Sequence, residues 1–446
     1  MGIQQDFANI LLENLEHRAR DLLRVAERLA AGHYPSEGPR LLANYLSEAA
    51  KKIGEELETL RGRPYEEIEP LALRRGQFLT ILHALLEYIS HANSHDVPAA
   101  IVIPIEALIR RHVPQSTIIV RFTWDFNYYF QDIAGFLRET PKYLPSLAKS
   151  VQSLPEFLPV FSFPITAKED TLLHTVFGHE IGHFIGRVNK IQDKVPILIN
   201  PALLSKIDPP YHAQILKTIQ SWYSELIADL VGIRLFGPAC LLAFSQVILH
   251  ALNEPGLGHP MPAMRLQLML SLLEELGFLD TVAPSGERER EGSLPPPYRS
   301  VFSSYKEFLR KYKQDPGESF YFLVAESVRA VQDNIKNEVS LMLGPQTYGA
   351  TDNTPLINAL ADRLKHLVPP GEAYLKGQHR IPDVVSILNA GWLVYSTDHM
   401  DDIYNLLSMT NPQAKAEVKQ KLNGLLSKAI ESVVIRQLWV KAETPN

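Results

Sequence analysis

The chain is short of cysteine, of long apolar runs and of excess positive charge, and each shortage removes a class of function. One cysteine, Cys240, stands among 446 residues. It can form no intrachain disulfide and leaves no cysteine cluster for a metal. The chain therefore fits a reducing compartment, and the expected localisation is cytoplasmic. In its apolar setting Cys240 reads as a small buried residue rather than a nucleophile. Net charge is −6, with a pI near 6.2. That balance lacks the basic footprint of a nucleic-acid-binding protein. The uncharged run Leu235–Leu249 is too short to cross a bilayer and contains Gly237, Pro238 and Gln246, so no membrane span is expected. Met1-Gly-Ile-Gln-Gln-Asp6 lacks the basic-then-apolar pattern of a leader and the Ser/Thr at position 6 of a myristoylation signal. There is no internal repeat and no low-complexity tract.

The remaining composition is that of an ordinary globular protein, 46% hydrophobic and 21% charged. The length suffices for two or three domains with a large core. Apolar positions Ile10, Leu11, Leu15, Leu22, Val25 and Leu29 predict an amphipathic helix. Tyr34–Pro39 breaks residues 1–62 into two helices, and a third is expected over about 70–92. Residues 99–103 and 117–124 are rich in β-branched and aromatic residues and read as strands. Residues 157–163 are a further extended stretch. They read either as an edge strand that docks an extended substrate, which Pro159 and Pro164 would suit, or as a connecting loop.

One segment states a chemistry. Residues 179–183 are His-Glu-Ile-Gly-His within an apolar, helix-like run from Thr171 to Arg187. On a helix, positions i and i+4 share a face, so His179 and His183 can address one metal ion. Glu180 is then placed to act as a base toward a water rather than as a ligand. Thr166-Ala-Lys-Glu169 fits a capping box at the start of this helix. Gly178, Gly182 and Gly186 form a stripe at i, i+4 and i+8. Each mid-helix glycine costs about 1 kcal/mol against alanine. Either a neighbour approaches this helix closely or the packing there is loose.

A third ligand is sought downstream. Residues 221–236, ending at Gly237-Pro238, read as a largely apolar helix. It carries Glu225 and Asp229 on one face, with the small Ala228 beside them. Carboxylates amid Leu226, Ile227, Leu230, Val231 and Ile233 require partners. Glu225 is the candidate third ligand, and Asp229 the candidate acceptor for the far nitrogen of a ligating histidine. The alternative is a solvated acidic face.

These residues resemble the gluzincin zinc metallopeptidases, in which HExxH is followed by a glutamate ligand in an ExxxD or ExxAD context. His259-Pro-Met-Pro-Ala-Met-Arg265 is similar to the HP(x)4R element of some ExxAD members, notably the CAAX-prenyl-endopeptidase type. The resemblance covers residues 157–275, and the chain lacks the transmembrane helices of those relatives. It implies one Zn2+ ion, a water-activating mechanism and a peptide or protein substrate. The expected fold is α+β and predominantly helical: a zincin-like core with a small sheet and flanking helical regions. The expected organisation is an N-terminal helical region at 1–96, the core at 97–280, a Pro/Gly-rich charged linker at 281–300, and a C-terminal helical region at 301–446.

In this scheme His179, His183 and Glu225 bind zinc and Glu180 is the general base. An oxyanion needs a further donor, with His259, Tyr223 and Arg265 as candidates. Arg265 has the alternative of pairing with Asp229. A broad peptidase, a regulatory protease that cuts one partner, and a non-catalytic zinc-containing interaction protein all remain open.

Overall fold

The structure is a computed structural model. It describes residues 2–248, 256–279, 298–311, 319–345, 347–397, 399–407 and 414–443. The chain divides into two compact units, 1–168 and 169–446. The division expected at 96/97 therefore differs from the contact boundary, and most of the expected linker, residues 281–297, lies outside the described residues. The chain is predominantly helical with a small sheet. Among the described residues no helix is long and apolar enough to cross a membrane.

The first unit opens with α1 (Gly2–Ala30), α2 (Gly38–Thr59) and α3 (Tyr65–Ser90). The amphipathic stripe of α1 buries Leu12, Leu15, Leu22 and Ala26 against Leu42, Leu46, Ile53, Phe78 and Leu82. Residues 99–103 belong to a helix, α4 (Ala99–His112), not to the expected strand. Its buried residues are Ala100, Ile101, Val102, Ile105, Leu108 and Ile109. That spacing has helical period, and it outweighs the local enrichment in β-branched residues. Strand β1 (Ile119–Thr123) falls where a strand was expected. It is followed by β2 (Tyr129–Asp132), the short helices α5 (Ala134–Glu139) and α6 (Ala148–Gln152), and β3 (Pro159–Pro164).

The sheet order is β1-β3-β2. β3 pairs in parallel with β1 and antiparallel with β2, and every residue of it is buried. The expectation of an edge strand at 157–163 is corrected: β3 is the central strand, and both of its edges are already paired. Pro159 and Pro164 are tolerated because they stand at its two ends.

The second unit is built around α7 (Phe177–Val188) and, after the short α8 (Ile191–Lys194) and α9 (Pro201–Leu204), the long α10 (His212–Phe236). Helix α7 begins at Phe177, later than a capping box at Thr166–Glu169 requires; single 3-10 turns occupy 165–167 and 173–176. Tertiary bonds hold the approach to α7 in that form. Trp392 Nε1 donates to the Leu172 carbonyl at 3.0 Å, Asn423 Oδ1 accepts from Leu172 N at 3.0 Å, and Thr175 Oγ1 donates to the Ala239 carbonyl at 2.9 Å.

Helix α10 is apolar on most of its circumference and is buried accordingly. It ends at Gly237, whose φ of +61° needs a residue without a Cβ. Packed on α10 are α11 (Pro238–Ile248), α12 (Pro262–Glu275), α14 (Ser319–Arg329) and α15 (Gln332–Leu343), with α13 (Arg299–Lys311) on α12. The unit is completed by α16 (Ala350–Lys365), a hairpin of β4 (Ala373–Leu375) and β5 (Gln378–Arg380), α17 (Val384–Ser396), α18 (His399–Leu407) and α19 (Ala414–Glu443).

The glycine stripe of α7 marks a close approach. A Cβ on Gly182 would lie 2.4 Å from the Ala228 carbonyl oxygen and 2.7 Å from Ala228 Cα. Gly178 meets Gly232 one turn earlier, with 3.3 Å between a Cβ on the first and Cα of the second. At Gly182 every near atom is backbone and cannot rotate away, whereas Gly178 also meets the Phe236 ring at 2.9 Å. Gly182→Ala is expected to lower stability by about 2 kcal/mol through overpacking. Gly54→Ala in α2, where a Cβ meets nothing within 4 Å, is expected to raise it by up to about 1 kcal/mol. Thermal or urea unfolding of the two variants checks the contrast.

Candidate metal centre

Three helices supply the cluster. Helix α7 carries His179, Glu180 and His183, α10 carries Ser224, Glu225 and Asp229, and Arg265 stands in the first turn of α12. His179, Glu180, Glu225, Asp229 and Arg265 are all buried. Helical spacing aims His179 and His183 the same way, so that their Nε2 atoms are 3.0 Å apart. Glu225 Oε1 lies 3.3 Å from His183 Nε2, and Oε2 lies 3.4 Å from His179 Nε2. Of the His, Cys, Asp and Glu groupings among the described residues, His179, His183 and Glu225 form the set that could hold a metal ion.

The far side of each imidazole is also committed. His179 Nδ1–H donates to Asp229 Oδ1 at 2.8 Å, and His183 Nδ1 faces Ser224 Oγ at 3.2 Å. With protons placed on the Nδ1 atoms, both Nε2 lone pairs converge on the Glu225 carboxylate. Arg265 fixes this arrangement from behind. Its Nε and Nη2 reach the two oxygens of Asp229 at 2.7 and 2.8 Å, a bidentate pair, and its guanidinium lies 4.3 Å from the centre of the Phe244 ring.

The donor set fits zinc on three counts. A tetrahedral ion with bonds of about 2.0–2.1 Å places its ligand atoms about 3.3 Å apart, and the cluster shows 3.0 to 3.4 Å. Imidazole and carboxylate are the donor types of such sites. Buried Glu225 Oε2 lies 3.1–3.4 Å from His259, Arg265 and His179 without one well-aligned hydrogen bond. A buried carboxylate oxygen in that state has an open acceptor position that a metal ion could take.

The remaining candidates separate. His259 Nδ1 is 3.1 Å from Glu225 Oε2, while the side chain is 68% exposed, so this histidine stands on the open side of the cluster. Arg265 takes the structural alternative of pairing with Asp229. Tyr223 is not brought to the cluster, which corrects its candidacy as an oxyanion donor. Its hydroxyl donates to the Pro196 carbonyl at 3.2 Å, and burial pushes its pKa up to about 12. It lies two positions from Glu225 on α10, about 200° around the helix. Ser224 was missed by the sequence reading; a serine beside a candidate ligand carries no signal until the partner histidine is placed.

The electrostatics of the metal-free cluster favour a bound proton. Burial opposes charge on His179, yet hydrogen bonds to Asp229 and Glu225 outweigh it and carry the pKa up to about 9. His183 moves down, through burial and then through the neighbouring His179 charge. Glu225 is held well below the usual carboxylate range; burial alone would raise it, but the histidines and Arg265 prevail.

His179 thus keeps its proton until the pH passes about 9, and a metal must displace it. Metal affinity is expected to rise about tenfold per pH unit from 7 toward 9 and then level off, with close to one proton released per ion at pH 7. Competition against a chromophoric chelator at several pH values checks this; a flat profile would mean that His179 is already neutral. Asp229→Asn is expected to weaken zinc binding by about 10- to 100-fold, measured by the same competition. Comparison with protein-family models, with curated proteins and with solved structures returns no significant match for this chain.

Proposed function

We propose that the chain is a zinc-dependent hydrolase of peptide bonds, with a zincin-like core formed by α7, α10 and α12. The observation that carries this reading is the His179–His183–Glu225 triangle, followed directly in sequence by an intact Glu180. His179, His183 and Glu225 hold the ion. Zinc in such a site supplies Lewis-acid charge that polarises a carbonyl and lowers the pKa of water.

Glu180 takes the proton of the attacking water on a carboxylate oxygen and passes it to the leaving amine nitrogen. One water and one amide become a carboxylic acid and an amine. His259, exposed and 3.1 Å from the Glu225 carboxylate, is the group positioned to donate toward charge developing on the carbonyl oxygen. Asp229, itself held by Arg265, keeps the His179 Nδ1 proton in place so that Nε2 presents its lone pair. Ser224 does the same for His183.

A structural zinc site usually fills its fourth position with protein and has no use for an adjacent base. Among the described residues the ligand group has three members, and Glu180 is buried beside it at 8% exposure. Both points support catalysis over a purely stabilising ion.

Glu180→Gln is expected to retain one equivalent of zinc and the fold while lowering hydrolysis by about 10²- to 10⁴-fold. New protein N-termini in cells expressing wild type, compared with cells expressing the variant, provide the measurement. Many new sites would indicate a broad peptidase and a single site a regulator. Identical N-termini, with both proteins zinc-loaded and the variant retaining cellular function, would favour the non-catalytic reading.

A further inference from the structure

We infer that residues Ile197–Asn200 form a docking strand to which an extended peptide pairs through its backbone, with one peptide side chain entering the neighbouring cavity. The inference rests on the peptidase reading for its purpose, but its evidence is separate. Val195 and Asn200 both have extended backbone, with ψ of 123° and 113°, and Pro196–Ile199 contain no helix, turn or bend. Among the described residues the backbone N–H and C=O groups of Ile197, Leu198 and Ile199 make no hydrogen bond to other backbone. Ile197 and Leu198 are 38% and 49% exposed. A chain with open N–H and C=O groups is the template that strand addition uses.

The segment is held in place. Tyr223 on α10 donates its hydroxyl to the Pro196 carbonyl, and the Asn200 side chain caps α9 by accepting from Ala202 N at 3.0 Å. Both ends are therefore fixed while the middle stays unpaired. Beside it lies a cavity of about 470 Å³ bounded by Gln192, Asp193, Val195, Ile197, Gln220 and Tyr223. A second cavity, of about 230 Å³, shares Gln192 and Asp193 with the first and is floored by Gly182 and Gly186 next to His183. The open backbone thus borders the first of two neighbouring cavities, and the second is lined by the candidate metal ligand His183. Val195, Ile197 and Tyr223 give the larger cavity an apolar wall, while Gln192, Gln220 and Asp193 supply hydrogen-bonding groups. A side chain with an apolar stem and a polar end matches that lining.

The test uses the full-length, zinc-loaded Glu180→Gln protein and a reduced, carboxymethylated polypeptide as an unfolded probe. Hydrogen exchange at Ile197–Asn200 is expected to slow at least tenfold when the probe binds, with alternate amides affected. In the wild-type background Leu198→Pro and Ile199→Pro each delete one N–H that has no backbone partner, so the fold should survive; melting and zinc content check that it does. At least one of the two is expected to lower kcat/KM for the probe tenfold or more. Cleavage of the probe without protection at 197–200, and with neither proline altering kcat/KM, would overturn the docking strand and leave the peptidase reading standing. Protection at 197–200 with no cleavage by wild type would do the reverse. Failure of the probe to bind at all would also overturn the docking strand.

Discussion

The contact between the backbones of α7 and α10 sets the geometry on which the candidate centre depends. His179 and His183 come from one helix and Glu225 from the other, so the distance between the axes fixes the size of the ligand triangle. Gly182 against Ala228 and Gly178 against Gly232 let the two backbones touch. A single methyl at Gly182 would meet backbone atoms at 2.4 to 2.9 Å, and the helices would have to part. Metal bonds tolerate displacements of about 0.2 Å. The glycines thus trade helix propensity for position: each gives up about 1 kcal/mol relative to alanine, and the return is a carboxylate within bonding range of the same point as two imidazoles.

The second constraint is charge. Glu225 and Asp229 are two buried carboxylates, and Arg265 is the buried cation that meets both. With neutral histidines, the buried carboxylates of Glu180, Glu225 and Asp229 outnumber the one buried guanidinium by two charges. A buried charge of that kind is costly unless it is neutralised. A proton on His179 offsets part of this excess, and a dication in its place would offset all of it. Asp229 accepts from His179 Nδ1 and from Arg265 at once, so it couples the orientation of the ligand to the position of α12. The capture of Asp229 by Arg265 also explains why Arg265 is the wrong group to seek as a free donor at the open side.

Much of the centre was legible in the sequence because its residues obey helical periodicity. His179 and His183, and likewise Glu225 and Asp229, are four apart; the apolar flanks weaken the alternative of a solvated acidic face, and the burial of Glu225 and Asp229 removes it. Where the pattern was not periodic, or where partners were remote, sequence reasoning faltered. The enrichment of 99–103 in β-branched residues resembles a strand until Ile105, Leu108 and Ile109 extend it with helical period. The extended character of 157–163 was visible, but its place in the sheet was not, since pairing partners near 120 and 130 are not written in the segment itself. Tyr223 was one of three candidate donors that the sequence does not distinguish; the rotation between positions two apart on a helix turns it toward Pro196.

That rotation matters beyond the correction. The α10 face carrying Gln220, Tyr223, Ser224 and Ile227 lines the two cavities, while the face carrying Glu225 and Asp229 meets the histidines and Arg265. One helix therefore carries candidate metal ligands on one face and lines the two cavities with another, and Ser224, touching His183, lies between them. Because β3 has both edges paired, a peptide gains no backbone partners there. The segment after α7 offers what β3 cannot: free N–H and C=O groups on a chain tethered by the same helix that holds Glu225. Any shift of α10 would move the ligand and the tether of the docking segment together, so an extended peptide lying on Ile197–Asn200 would keep its register to the metal cluster.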